Sequence, residues 1–341
     1  CYKTDNDKHE LAGYDDETVP WGQTVRETWD FVRKNDYFGG IFIWTGFDYR
    51  GEPTPYEWPS VSSQFGILDT CGFKKDSFYF NKACFTDKPT IHVMPHWNWT
   101  KGQTVKVAAP TNCNEAELIL NGVSLGKKPC DCIRTPVWKV KFQPGTLEVA
   151  GYINGKKVVS DSVTTAGEAV KIIAEVDKTT LIADDCDAAV VNVSLADENG
   201  VFVPESAQEI TFETTGDIYV RGVGNGDPNS HEPDSANYRK LYKGRCQAII
   251  SAKCGGKSGT LIVKADGVES AKTEYTLIAS DEKVIPGASA GCISEMTMSA
   301  ITLEKPDPLV KIADNDMNSF TPVSCIGSHQ NDFHNGWRIY R

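Results

Sequence analysis

Hydrophobic and polar residues alternate through the middle of this chain, whereas near its start the apolar residues come in an unbroken cluster. "TVKVAAP", "EAELILNGVSLGKK" and "WKVKFQPGTLEVAGYINGKKVVS" put apolar side chains at about every second position, the period of a strand with one buried face. Asn121-Gly122 and Asn154-Gly155 fall between such runs. Both central residues of a type I′ hairpin turn need positive φ, which Asn-Gly supplies. Residues 88–166 are therefore predicted to form one antiparallel β-sandwich. The pattern resumes in "VKIIAEVD", "AAVVNVSLADENG", "EITFETTG", "GTLIVKADG" and "EYTLIAS" and predicts a second sandwich over 167–280.

The first 87 residues read differently. "PWGQTVRETWDFVRKNDY" (20–37) carries Val25, Trp29 and Val32 at i, i+4, i+7, with Pro20 suited to a first turn, and predicts an amphipathic helix. After Gly39-Gly40 comes "IFIW" (41–44), a continuous apolar run of the kind found in strands buried on both faces of a parallel sheet. Helix, Gly-Gly, strand and the loop that follows make one unit of an α/β barrel or a doubly wound sheet. A turn that only closed a core would not need Phe47, Tyr49, Tyr56 and Trp58 among three prolines; the strand is expected to open onto a site. Residues 281–305 are rich in small residues and predict a linker. The last stretch, to 341, predicts a β segment starting at Trp337.

Composition narrows the partners. A formal net charge of −11 and a pI near 5.1 leave no basic stripe to neutralise phosphates, which removes nucleic acid. No run of about 18 apolar residues occurs, so no membrane-spanning helix is expected. The start, "CYKTDNDKHELAGYDDE", is polar and lacks an initiator Met, and predicts a piece of something longer. Eleven cysteines without repeated spacing, with only a C-x-C at Cys130 and Cys132, fit a reducing cytosol better than a disulfide framework or a zinc knuckle. The sequons at Asn98 and Asn192 are the opposing signal.

"GGIFIWTGFDYRGEPTPY" (39–56) resembles the last barrel strand and following loop of glycoside hydrolase family 2 enzymes, bacterial β-galactosidases above all. "SSQFGILDTCGFKKDSFYF" (62–80) is similar to the segment that closes their (β/α)8 barrel. "AELILNGVSLGKK" (116–128) resembles a hairpin of the immunoglobulin-like domain that follows it. "GNGDPNSHEPDSANYRKLYKGRC" (224–246) resembles a loop of a C-terminal sandwich, and "DNDMNS" (314–319) a phrase near their C-terminal ends. The resemblance implies a mainly β chain: two consecutive antiparallel immunoglobulin-like β-sandwiches preceded, over 1–87, by the C-terminal piece of a (β/α)8 TIM barrel. One strand of eight cannot close a barrel, so residues 1–86 are expected to expose apolar surface or to be completed by another chain.

In such barrels chemistry sits at the C-terminal strand ends. The resemblance places Trp44 beside the sugar subsite; by position on the loop, Asp48 and Glu52 are candidates for contacting hydroxyls or holding the loop. A retaining glycosidase needs two carboxyl groups about 5–5.5 Å apart, and neither family glutamate has a match. The only Asn-Glu is Asn114-Glu115 in a sandwich loop, and Glu10, Glu17, Glu27, Glu52 and Glu57 do not fit the nucleophile motif. No catalytic residue is assigned, and the chain is expected to be inactive without the missing N-terminal part of the same enzyme. The Asn-x-Lys that β-glucuronidases of the family carry after the barrel Trp is absent between Trp44 and Lys88, which favours a neutral sugar such as a terminal β-galactoside, though glucosidase and fucosidase members lack it as well. No cofactor is implied, with a structural or activating cation left open. The rival reading is a non-catalytic carbohydrate-binding or adhesive β-sandwich protein; a third is a scaffold mediating contacts in a homo-oligomer.

Two further clusters carry side chains of metal-ligand type. "GDPNSHEPD" (226–234) gathers Asp227, His231, Glu232 and Asp234 without the spacing of a calcium loop, and predicts a hydrogen-bonded surface loop. His329 and His334 stand at i, i+5 before Asn335-Gly336, a turn rather than the i, i+4 helical spacing zinc favours.

Overall fold

The computed structural model describes residues 4–18 and 22–279, together with the backbone of two short strands farther on. Alternation becomes sheet where it was expected. In β2 (Glu115–Leu120) Ala116, Leu118 and Leu120 turn inward while Glu115, Glu117 and Ile119 are less buried. Asn121 and Gly122, at φ 50° and 80°, turn the chain into β3 (Val123–Pro129). Asn154 and Gly155, at 51° and 77°, do the same between β5 (Thr146–Ile153) and β6 (Lys156–Thr164). These four strands form one antiparallel sheet in the order β3-β2-β5-β6. A smaller sheet pairs β1 (Thr104–Ala108) with β4 (Val137–Lys141). Val105, Val107, Trp138 and Val140 from the small sheet share a core with Leu118, Leu147 and Val149 from the larger one and with the fully buried Trp97.

The next β unit runs from β7 (Lys171–Val176), β8 (Thr180–Ile182) and β9 (Ala188–Ala196) through β10 (Glu209–Gly216), β11 (Ile218–Gly224) and β12 (Tyr238–Lys240) to β13 (Arg245–Ala252), β14 (Ser258–Ala265) and β15 (Val268–Ile278). Strands β11-β13-β9-β7 form one antiparallel layer, and β15-β14-β10-β12, with β8 against β15, another. A single residue pair, Glu269 with Lys171, links the two. Inward residues of both layers, among them Val191, Leu195, Ile250, Phe212, Leu261 and Tyr275, meet in one core. Residues 281–341 are a separate unit, in which β16 (Ser324–Ile326) pairs antiparallel with β17 (Trp337–Ile339). The linker expected over 281–305, "DNDMNS" and the pair His329 and His334 lie outside the described residues.

Residues 4–86 depart from expectation in two places. The helix α1 spans Val25–Arg33, shorter than the predicted 20–37, because Thr24 caps it: its side chain accepts from the Glu27 N–H while Glu27 reaches back to the Thr24 N–H. This is the S/T-x-x-E capping box. "IFIW" is not a strand buried on both faces; it joins no ladder, with Phe42 fully exposed and Trp44 75% exposed. A doubly buried strand needs hydrogen-bonding neighbours at both edges, and among the described residues this segment has neither. The apolar surface expected there is present: Phe31, Tyr37, Phe38, Phe47, Trp58 and Phe85 are also exposed. A second helix, α2 (Asp76–Phe85), buries Phe80 and Ala83. Phe80 joins Tyr14, Met94 and Ala108 in a small core, and the Tyr14 hydroxyl donates to the Lys106 carbonyl of β1 at 2.6 Å.

Candidate functional site

The loop after residue 44 is built by backbone pairing with residues 61–68. The Ile67 and Leu68 N–H groups donate to the Thr45 and Gly46 carbonyls at 3.1 and 3.0 Å, and Asp48 N–H to Leu68 O at 2.9 Å. Gly66 is required there: a Cβ would lie 2.2 Å from the Asp48 nitrogen and 2.4 Å from the Leu68 oxygen, both backbone atoms. The strand-like hold continues outward through Ser63 N–H to Tyr49 O and Gly51 N–H to Val61 O. Residues 50–62 therefore form a hairpin-like finger, Arg50 pairing with Ser62, whose Tyr56 packs against His9. The Trp44–Thr45 peptide is cis.

This pairing sorts the three predicted residues. Trp44 and Glu52 are brought together through Tyr49: the indole N–H donates to the Tyr49 hydroxyl at 3.1 Å, and that hydroxyl donates to the Glu52 carboxylate. The Trp44 and Tyr49 rings meet edge to face, 6.2 Å between centroids. Burial and the Glu52 carboxylate push the Tyr49 phenol above its ordinary value, so it holds its proton and stays a donor. Asp48 is turned away from this group. Its carboxylate, 3% exposed, accepts from the Gly66 N–H at 2.8 Å and pairs with the Lys75 ammonium at 2.5 Å. Lys75 also donates to the Gln64 carbonyl. Burial raises the Asp48 pKa and lowers that of Lys75, each partly opposed by the other's charge.

Beneath the loop lies a residue that periodicity did not single out. Asp69 accepts from the Cys71 and Phe73 N–H groups at 2.8 and 3.0 Å, and burial pushes its pKa up to about 6. Gly226 approaches so closely that a Cβ there would sit 2.1 Å from the Asp69 carboxylate. Lys75 lies close enough to Asp69 to act on its charge as well, so two carboxyl groups share one ammonium. The sequence signal was available in "LDTCG", since Asp ahead of a turn commonly accepts N–H groups two residues on.

The 224–246 stretch docks on this finger. Val61 N–H donates to the Pro228 carbonyl at 2.8 Å, Ser60 Oγ to Asn229 Oδ1 at 2.6 Å, and His231 Nε2 to the Pro59 carbonyl at 2.7 Å. His231 meets the Trp58 ring edge to face at 4.4 Å. Arg50 pairs with Asp234 at 2.6 Å. From the other side the fully buried Arg239 of β12 donates to the Val223 and Pro233 carbonyls and to Asp234. The histidine and acids of 226–234 are thus spent largely on backbone and ion-pair contacts.

Chemically, this region leaves aromatic rings exposed at Phe42, Trp44 and Trp58, and a carboxylate acceptor at Glu52. Rings of this kind suit the C–H faces of a sugar, and a carboxylate suits its hydroxyls. A separate open groove of about 570 Å³ is lined by His96, Trp99, Lys101, Gln103 and Glu205. There Trp99 stacks on His96 at 4.6 Å, and His96 Nε2 lies 3.0 Å from Glu205.

Comparison with known proteins adds independent findings. Residues 172–274 match the model of glycoside hydrolase family 2 C-terminal domain 5, and residues 102–159 a domain of unknown function, DUF4982. The chain is 39% identical to beta-galactosidase BoGH2A of Bacteroides ovatus over 76% of its own length and 31% of that protein's. It is 31% identical to a putative beta-glucuronidase of Formosa agariphila over 80% of its length and 27% of the relative's. Among solved structures, a beta-glycosidase from Bacteroides vulgatus superposes with a TM-score of 0.75 at 29% identity, covering 81% of this chain and 36% of that one. A glycosyl hydrolase family 2 member from Bacteroides cellulosilyticus gives 0.70 at 27%, covering 74% and 38%. The chain spans about a third of the length of the proteins it matches.

Proposed function

Because the chain belongs to glycoside hydrolase family 2 and corresponds to a C-terminal portion of it, we propose that it forms one wall of the sugar site of a retaining β-galactosidase. In this reading residues 1–87 are the closing piece of a TIM barrel, and residues 88–166 and 167–280 are immunoglobulin-like sandwiches that brace it. Trp44 is the platform for the sugar ring, and Glu52, oriented by Tyr49, accepts from a hydroxyl. Asp48, with Lys75, holds the loop that carries both. The nucleophile and the acid/base are supplied by the rest of the same enzyme, and no organic cofactor is needed.

The observation that carries this reading is the Trp44–Tyr49–Glu52 relay. An apolar ring is left largely exposed, yet its N–H is fixed by a hydroxyl that is itself fixed by a carboxylate. Ordering an exposed ring this way costs conformational freedom, which a bound ligand repays. The choice of galactoside draws on the 39% identity with a beta-galactosidase and on the missing Asn-x-Lys; the beta-glucuronidase names among other relatives set the competitor.

The test compares p-nitrophenyl β-galactoside with the β-glucuronide, using the full-length enzyme and this chain alone. Full-length enzyme should favour the galactoside, Trp44→Ala should lower its kcat/KM by about 10²-fold, and the chain alone should show no turnover. A glucuronide preference would overturn the sugar assignment. Turnover by the chain alone would overturn the division of labour. Sugar binding by the chain at the His96–Trp99 groove, seen by calorimetry and abolished by Trp99→Ala, would favour the binding-module reading instead.

A further inference from the structure

The turn that follows β3 brings Cys132 against the ends of both helices. Arg33, the last residue of α1, donates from Nη1 to the Cys132 sulfur at 3.1 Å. Cys84, in the last turn of α2, donates to the Cys132 carbonyl at 3.4 Å, and the two thiols lie close enough to act on each other's charge. Three segments far apart in sequence thus place a guanidinium and two sulfurs together. Both cysteines are reduced and only partly buried. Arg33 and the two chain neighbours of Cys132, Asp131 and Ile133, line an opening of about 300 Å³ together with Asp30, Lys34 and Arg134.

The other neighbouring thiols lack this arrangement. Cys130 donates to the Cys113 carbonyl at 3.3 Å, but both are buried and burial pushes the Cys130 thiol up to about 12. Cys71, close to the buried Cys246, is likewise pushed up to about 12 by burial. Neither pair has an arginine hydrogen-bonded to sulfur among the described residues. At Cys132 the adjacent Cys84 thiol, and then the Arg33 charge, lower the thiol to about 6, while the neighbouring Cys132 and burial push Cys84 upward. The charges facing the pair are Arg33 from α1, Asp131 from its own turn, and Asp15 on the Cys84 side, with Arg134 paired to Asp131. Asp30 and Lys34 at the opening are paired with each other at 2.5 Å.

We propose that Cys132 and Cys84 form a thiol–disulfide exchange site, in which Cys132 is the attacking sulfur, Cys84 the resolving one, and the oxidant a low-molecular-weight disulfide entering beside Arg33. The Cys132 thiolate attacks one sulfur of the reagent, forming a mixed disulfide and expelling one thiolate. Cys84 then gives its proton to that thiolate and attacks the Cys132 sulfur, expelling the second. Two cysteine thiols are oxidised and one small disulfide is reduced to two thiols, and α2 becomes tied to the turn after β3. This site owes nothing to the sugar chemistry.

The whole chain carries its own reference, because Cys186 and Cys254 are exposed. With limiting iodoacetamide and peptide mass mapping, Cys132 should react about tenfold faster than these two at pH 6. The margin should narrow to about threefold at pH 7 and be lost by pH 9, since a low-pKa thiolate is abundant early but intrinsically less nucleophilic. Glutathione disulfide should then yield a Cys84–Cys132 linked peptide in the wild-type chain. Cys84→Ser should stop at a glutathione adduct on Cys132, and Cys132→Ser should leave Cys84 unmodified. The proposal is overturned if Cys132 in the wild-type chain reacts no faster than Cys186 and Cys254 at pH 6. A persistent adduct on wild-type Cys132 without the link to Cys84 overturns it equally.

Discussion

Residues 4–86 and residues 90–279 solve the problem of folding in opposite ways. In the latter, alternating strands pair into layers whose inward side chains meet in two apolar cores, and the backbone groups are consumed by ladders. In the former the described residues contain two short helices and isolated bridges rather than a sheet. Beside one small core at Tyr14 and Phe80, their buried interactions are polar: Asp48 with Lys75 and Gly66, Asp69 with two N–H groups. Phe42, Trp44, Phe47 and Trp58 stand outside. A region held by a few charged staples can present its rings to something else, whereas a region held by rings cannot.

The sharpest way to break this contrast is to remove a ring from a core. Phe212→Ala should cost about 3–5 kcal/mol, the usual loss for a fully buried phenylalanine, read as a lower urea midpoint. Next comes a staple. Lys75→Met leaves the Asp48 carboxylate buried without its cation and should cost about 3 kcal/mol at pH 7, with faster hydrogen exchange in the peptide spanning 45–68. Because burial already raises Asp48 and losing the cation raises it further, that cost should shrink as pH falls through the folded value toward about 4 and be smallest below it, where the unfolded carboxyl is protonated as well.

Asp69 gives a smaller effect with a defined sign. Its carboxyl titrates at about 6 when folded against an ordinary 3.8. The folded state is therefore favoured by the bound proton below the ordinary value, and that stability is lost as pH rises through 6. Asp69→Asn should flatten this part of the stability profile, by up to roughly 3 kcal/mol at pH 7. Part of the slope should survive, since Asp48 and Asp227 are displaced in the same direction. Smallest of all should be Phe42→Ser, a fully exposed ring. Stability should move by less than about 0.5 kcal/mol, and self-association seen by sedimentation should fall. A loss comparable to Phe212→Ala would place Phe42 in a core and erase the distinction between the regions.

The β units were legible because their signals are local. Period-two alternation names the inward residues of β2 and β9, and Asn-Gly names two hairpin turns at the observed positive φ. Trp138 likewise falls in a buried strand as its surroundings required. "IFIW" misled because an apolar run states that a segment wants cover, not that the cover is within reach. The start of α1 was also readable, but the capping box at Thr24 and Glu27 was passed over for Pro20. At the site, Trp44 and Glu52 stood out by type and place. Tyr49, which joins them, was one aromatic among many. Lys75, 27 positions beyond its partner, could not be paired with Asp48 without the turn at Gly66. The same distance hid the meeting of Pro59 with His231.

Asp234 is gripped from two directions, by Arg239 within its own β unit and by Arg50 on the finger. Swapping modules between enzymes would therefore be misdirected if the cut fell at the obvious seam between helix and sheet. A transplanted 167–279 unit would arrive with Asp234, Pro228 and His231 lacking their counterparts, while the host finger lost its outer support. A chimera keeps both ends of this clasp only when residues 50–61 travel with residues 224–239.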